Sequence, residues 1–135
     1  MSYLARILIC EDDEIMRTIL SYHLRMEGIE LVFAIDGKEG IKALNEQEPF
    51  DLIISDLLMP ELSGIEFIRH VRTVRNEKTP IVVISGAENL EEMEEAHRIG
   101  IDDFVAKPFR PQEIAFRIKT LLIKSYPEKF SIATF

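Results

Sequence analysis

A single cysteine, Cys10, among 135 residues excludes a disulfide framework. It lies inside the apolar run ILIC, where it reads as a small buried hydrophobe, and a reducing cytoplasm is the expected location. No apolar run approaches the roughly 18 residues of a membrane-spanning helix. The amino end, MSYLARILICEDD, lacks the apolar stretch and small-residue cleavage site of a signal peptide, so no membrane association is expected. Basic residues are also in deficit. Sixteen Lys and Arg against 24 Asp and Glu give a net charge of -8, which repels phosphate backbones and argues against direct nucleic acid binding. Repeats, low-complexity tracts and internal linkers are missing too. What remains is a 47% apolar chain long enough for one domain, burying about two thirds of its unfolded-chain surface.

Five short apolar runs alternate with segments of helical period, which predicts an α/β chain with a parallel sheet. Strands are expected near Leu4 to Cys10, Leu31 to Ala34, Leu52 to Ser55, Ile81 to Ser85 and Phe104 to Ala106. The first, third and fourth are apolar on both faces, as interior strands covered on two sides must be; the second and fifth are less uniform and read as edges. In the first helix Ile15, Ile19, Leu20, His23 and Leu24 form one stripe, and Gly28 supplies a stop signal. The second runs from about Lys38 to Gln47, burying Ile41 and Leu44 before Pro49. Ile65, Ile68, Val71 and Arg72 mark a third, and Leu90, Met93, Ala96 and His97 a fourth that Gly100 ends. Pro111 suits the first turn of a last helix with Ile114, Ile118, Leu121 and Leu122 inward. After Lys124 the tail SYPEKFSIATF breaks the helical pattern at Pro127. Phe130, Ile132 and Phe135 nevertheless make it less polar than a solvated terminus, suited to packing on the body or on a partner. The expected division is a domain over residues 1–124 and a tail over 125–135.

The charged groups fall after these runs: Glu11, Asp12 and Asp13 after the first, Asp56 after DLIIS, Ser85 at the end of IVVIS and Lys107 after DFVA. In a parallel sheet the carboxyl ends lie side by side, so these groups meet in one crevice. Converging carboxylates repel, and they either take up protons or hold a cation. Hard oxygen donors favour Mg²⁺, for which Glu11, Asp12 and Asp56 supply a partial shell. Lys107 offers a point charge and Ser85 a hydroxyl to phosphoryl oxygens. Asp56 is the candidate nucleophile, giving an acyl phosphate with no general base, since a carboxylate has no proton to lose. Taken singly, each group has a plainer reading. Asp12 and Asp13 suit the N-terminal cap of the first helix, Asp56 a turn, Lys107 the surface, Ser85 a strand end and Phe104 the core. His23, His70 and His97 lack acidic or cysteine neighbours in ligand spacing, and the run Glu91 to His97 reads as a solvated helix face.

The elements ILICEDDE, DLIISDLLMPELSG, IVVISGAEN and DDFVAKPF, in this order and spacing, resemble the receiver domain of two-component response regulators from about Leu4 to Lys124. The resemblance implies a doubly wound (βα)5 flavodoxin-like fold with a five-stranded parallel sheet of order 2-1-3-4-5. It implies that Glu11 and Asp12 hold Mg²⁺, that Asp56 is phosphoacceptor and metal ligand, and that the backbone carbonyl of Leu58 completes the protein's share of the shell. Ser85 takes the place of the switch hydroxyl, Lys107 that of the phosphate-binding lysine and Phe104 that of the aromatic switch, with a cis bond before Pro108. The implied partners are a histidine kinase or phosphotransfer protein as donor, and a downstream protein target or an output domain of its own. The implied output face is made by the fourth helix, fifth strand and fifth helix. On that face Asp102, Asp103, Glu113, Arg117 and Lys119 resemble charges used for dimerisation by the winged-helix branch, whereas Met93 and Arg98 depart from its pattern. A weak phosphorylation-dependent homodimer is therefore expected.

Other departures bear on rate. Gly86 follows the switch hydroxyl where alanine is frequent, and Leu58 and Ala87 are apolar where side chains help set how fast water attacks the acyl phosphate, which predicts slow dephosphorylation. Phe104, without a hydroxyl, would switch by burial alone. A phosphatase of the dehalogenase type needs a second aspartate at the place of Leu58, so turnover as an enzyme is not expected. A flavodoxin needs a Gly- or Ser-rich phosphate cradle after the first strand, which EDDE would oppose. The remaining alternative is a receiver fold that binds partners without phosphate. The chain is read either as a stand-alone switch or as the receiver portion of something longer.

Overall fold

A computed structural model describes residues 4–25, 28–47, 49–86 and 88–134. Five strands, β1 (Ala5–Cys10), β2 (Ile29–Ala34), β3 (Leu52–Asp56), β4 (Ile81–Gly86) and β5 (Asp103–Lys107), pair in parallel in the order β2-β1-β3-β4-β5. Each feeds a helix: α1 (Glu14–Arg25), α2 (Gly37–Glu46), α3 (Gly64–Arg69), α4 (Leu90–Ile99) and α5 (Pro111–Ser125). The expected fold class and strand order hold, with β2 and β5 at the edges. Ile7, Ile9, Leu52 and Ile54 point into the layer under α1 and α5, while Leu8, Ile53, Ile81 and Val83 point into the layer under α2 and α3. Residue alternation along each strand thus fills two separate cores.

Local chemistry sets the helix ends. The Asp36 carboxylate accepts from the Glu39 amide at 2.8 Å and caps α2. Ser63 and Glu66 form a reciprocal capping box at α3. Asp13 does the same service for α1, accepting from the Ile15 amide at 2.9 Å, so its plain reading as a cap is the structural one. α2 begins and ends one residue earlier than expected, at Gly37 and Glu46, because Asp36 fixes its start. Beyond Arg69, α3 widens into a π-helical turn, His70–Val74, with Arg75 donating to the His70 carbonyl five residues back at 2.9 Å.

Two helices bury less than their patterns promise. Ile15 is 71% exposed, because the first turn of α1 overhangs the strand ends, where the sheet offers nothing to pack on; Leu20 and Leu24 carry the burial instead. In α4, Leu90 is 62% exposed and His97 is exposed, and Ala96 is its buried residue. α4 packs on the α2/α3 core through Ala96, with Met93 and Ile99 partly buried beside it. α5 meets the expectation, with Ile114, Ile118, Leu121 and Leu122 all buried.

The tail packs on the body. Phe130 is 2% exposed in the α1/α5 core, edge-on to Tyr126 at 6.0 Å. The Tyr126 hydroxyl donates to the Asp51 carbonyl at 2.7 Å, and Lys129 Nζ lies 2.8 Å from Asp51 Oδ1. Asp51 Oδ2 accepts from the Arg6 amide at 2.8 Å, so one aspartate joins the starts of β1 and β3 to the tail. Phe135, the last apolar residue of the tail, lies outside the described residues.

Candidate functional site

β1, β3 and β5 deliver their terminal charges to one place. Glu11, Asp12 and Asp56 each offer a carboxylate oxygen within 4.8 Å of the others. Glu11 and Asp56 are buried and Asp12 is exposed, so the group opens outward. Lys107 Nζ donates to Asp56 Oδ2 at 2.7 Å and to Glu11 Oε1 at 3.3 Å. The other oxygen of each carboxylate is held by backbone: Asp56 Oδ1 accepts from the Leu58 amide at 3.3 Å, and Glu11 Oε2 from the Asp13 amide at 3.1 Å. The Lys107-Pro108 peptide is cis, as expected.

Charge is unbalanced here, with three carboxylates against one ammonium. Burial holds the Glu11 carboxyl above the usual carboxylate range; the Asp13 amide works against this, the Asp56 charge adds to it, and Lys107 opposes it. For Lys107 burial pulls the ammonium down. The hydrogen bond and charge of Asp56, then those of Glu11, outweigh burial and leave it raised. An all-oxygen donor set that repels itself and is open on one side fits a hard divalent cation retaining some of its water. The structure therefore has an acidic group suited to Mg²⁺.

Ser85 is fully buried at the end of β4, and its Oγ accepts from Asn89 Nδ2 at 2.9 Å. Phe104 is half-buried and packs against the α2/α3 core. Leu58 is 50% exposed, and Ala87 lies outside the described residues. Outside the carboxylates a cleft of about 450 Å³ is lined by Met16, Leu58, Gly86, Glu88, Asn89 and Pro108 beside Asp56 and Lys107.

The charges expected on a dimer face have partners within the chain. Arg117 Nη1 lies 2.9 Å from both Asp103 oxygens, and Arg117 Nε 3.4 Å from Glu113. Asp102 turns away from α5: its Oδ2 accepts from the Ile81 amide at 2.8 Å and from Arg72 Nη2 at 3.1 Å. Lys119, half-buried on α5, also has an interaction partner.

Three site residues were missed or undervalued in the sequence. At Gly64 a Cβ would stand 1.8 Å from the Asp56 carbonyl oxygen and 2.7 Å from Leu57 Cα. The start of α3 presses on the β3 exit that carries Asp56, and only glycine permits it. Arg17 Nη1 donates to the Glu11 carbonyl at 2.8 Å, one turn into α1. Asn89 reaches back four residues to Ser85, a contact for which no spacing rule prepares.

Comparison with known proteins agrees with this geometry. The family described as "Response regulator receiver domain" matches residues 7–119. The transcriptional regulatory protein RprY of Bacteroides fragilis is 35% identical over 117 residues, covering 87% of this chain and 49% of the relative. The phosphate regulon transcriptional regulatory protein PhoB of Rhizobium meliloti is 35% identical over 129 residues, covering 95% of this chain and 56% of the relative. The chain thus spans about half the length of these curated relatives. Among solved structures, chemotaxis response regulator CheY4 of Vibrio cholerae superposes with a TM-score of 0.78 at 30% identity, covering 87% of this chain and 98% of that one. With the family matched over most of its length and the acidic group at the strand ends where such a fold carries it, the chain belongs to the response regulator receiver domain family.

Proposed function

We propose that this receiver domain is a phosphorylation-operated switch in which Asp56 accepts a phosphoryl group from a histidine kinase or phosphotransfer protein. The observation that carries the reading is Lys107 Nζ at 2.7 Å from Asp56 Oδ2, within an acidic group whose oxygens lie within 4.8 Å of one another. Glu11, Asp12, Asp56 and the Leu58 carbonyl would hold Mg²⁺, which when bound neutralises charge on the phosphoryl oxygens.

The Asp56 carboxylate attacks phosphorus. The new O–P bond forms as the P–N bond of the donor phosphohistidine breaks, and the electron pair stays with the imidazole nitrogen. Asp56 has no proton to lose, so the chain's contribution is positioning and charge. Leu58 and Asp13 amides orient the two buried carboxylates before the donor arrives. Lys107 then follows the negative charge from the carboxylate to a phosphoryl oxygen. Ser85 exchanges its Asn89 contact for a second phosphoryl oxygen, which draws the end of β4 inward and lets Phe104 follow. The face of α4, β5 and α5 changes as a result and carries the output to a downstream target or output domain. A weak dimer through that face would require Arg117 to exchange its Asp103 partner within the chain for one in a second copy. Leu58 offers no group to orient a water, so spontaneous dephosphorylation is slow. The domain catalyses no turnover on a free substrate.

Intact mass after incubation with phosphoramidate and Mg²⁺ tests the reading. One phosphoryl group is expected on the native chain, none on Asp56→Asn and none with a chelator. Retention of the label by Asp56→Asn would refute Asp56 as acceptor; no label on either protein would favour a phosphate-independent binding module.

A further inference from the structure

The cleft outside the acidic group contains one charged side chain to which the phosphoryl chemistry gives no part, Glu88. Its carboxylate lies where a side chain of Gly86 would be. A Cβ on Gly86 would stand 2.3 Å from Glu88 Oε1 and 2.5 Å from Oε2, and all three nearest atoms belong to Glu88. Gly86 does not have the positive φ that requires glycine, which among the described glycines is confined to Gly28 and Gly100. Its missing side chain therefore serves space rather than backbone conformation, and the space is filled by a carboxylate at the mouth of the crevice.

We propose that Glu88, seated over Gly86, is a charge gate that sets which phosphodonors reach Asp56. It opposes small, strongly anionic donors such as free acyl phosphates more than donors with less negative charge. The proposal rests on Asp56 being the acceptor. Lys107, the cation among the described residues lining the cleft, is already committed to Asp56 and Glu11, which leaves the Glu88 carboxylate as the lining charge without that compensation. A unit charge near the path of a dianion in partly solvated surroundings changes its local concentration by a factor of several, an effect that salt screens. Glu88 is exposed and acts through its field on the donor; it is a specificity residue and forms no bond in the transfer.

The test compares second-order rate constants for acetyl phosphate, a dianion at neutral pH, and phosphoramidate, which carries one negative charge less. Both are measured with saturating Mg²⁺ at low and high ionic strength. Glu88→Gln is expected to raise the acetyl phosphate constant about three- to tenfold at low salt and the phosphoramidate constant less, with the difference shrinking at high salt. Gly86→Ala should act in the same direction, because its Cβ displaces the carboxylate, and the double variant should gain nothing over Glu88→Gln alone. An unchanged donor ratio in Glu88→Gln, or an equal and salt-independent change for both donors, overturns the gate. A wild type labelled by neither donor overturns the Asp56 reading together with the gate; a labelled wild type with an unchanged ratio overturns the gate alone.

Discussion

At the carboxyl ends of the strands Glu11 and Asp56 share the ammonium of Lys107 with Asp12 close beside them, whereas at the amino ends carboxylates are matched. There Glu30 meets Arg6, Asp51 meets Lys129 and the Arg6 amide, and Asp102 meets Arg72 and the Ile81 amide. Arg72 also donates to the Gly100 and Glu77 carbonyls at 2.9 Å each, tying the π-helical turn to the loops that lead into β4 and β5. The same residue types thus do opposite work. Where these carboxylates have their partners the end of the sheet is sealed, and the tail with Phe130 belongs to that seal. Where carboxylates outnumber cations, the excess suits a hard divalent cation. Placing the carboxylates at two adjacent strand ends of a rigid sheet, β1 and β3, keeps them from relaxing apart.

The contrast yields perturbations of graded size. The largest is Phe130→Ala, which removes a fully packed aromatic ring from the sealed end and should cost about 3–5 kcal/mol by denaturant titration without altering Mg²⁺ affinity. Asp51→Ala comes next. It leaves the Arg6 amide and Lys129 without their acceptor and should cost about 2 kcal/mol in the same titration, again with Mg²⁺ affinity intact. At the open end the sign reverses. Asp56→Asn keeps an acceptor for Lys107 but removes one of three repelling charges, so the metal-free protein should gain about 1 kcal/mol of stability while its Mg²⁺ affinity falls.

The smallest effect is on pH dependence. Burial raises the Glu11 carboxyl in the folded state, so the folded protein keeps that proton to higher pH than the unfolded chain does. Metal-free stability should therefore decline as pH rises from the ordinary glutamate range, about 4.3, through the raised folded value. Glu11→Gln should remove this decline in urea titrations across that window, and saturating Mg²⁺ should oppose it.

Much of this division could be read from the sequence. Apolar runs ending in Glu11-Asp12, Asp56, Ser85 and Lys107 were enough to place strands and crevice, because buried parallel strands are apolar on both faces and their carboxyl ends lie side by side, whereas the strand order came from the family resemblance. The misread positions share a cause. Ile15, Leu90 and His97 fit helical stripes, but whether a stripe is covered depends on how far the sheet extends beneath it, which periodicity does not encode. The sealed end was harder to see, since Asp51, Arg72 and Tyr126 act through long-range contacts across 28 to 78 positions of sequence with no motif. Asn89 and Gly64 matter for what their side chains reach or lack in three dimensions, although Gly64 left a trace in the Ser63 capping signal just before it.

The most direct measurement is the shift in thermal midpoint on adding Mg²⁺ to the wild type, Asp56→Asn and Asp51→Ala. An unbalanced open end and a satisfied sealed end predict that Mg²⁺ raises the midpoint of the wild type, raises that of Asp56→Asn much less, and adds the same increment to the lower baseline of Asp51→Ala. An equal increment in Asp56→Asn and wild type, or none in the wild type, would contradict the account.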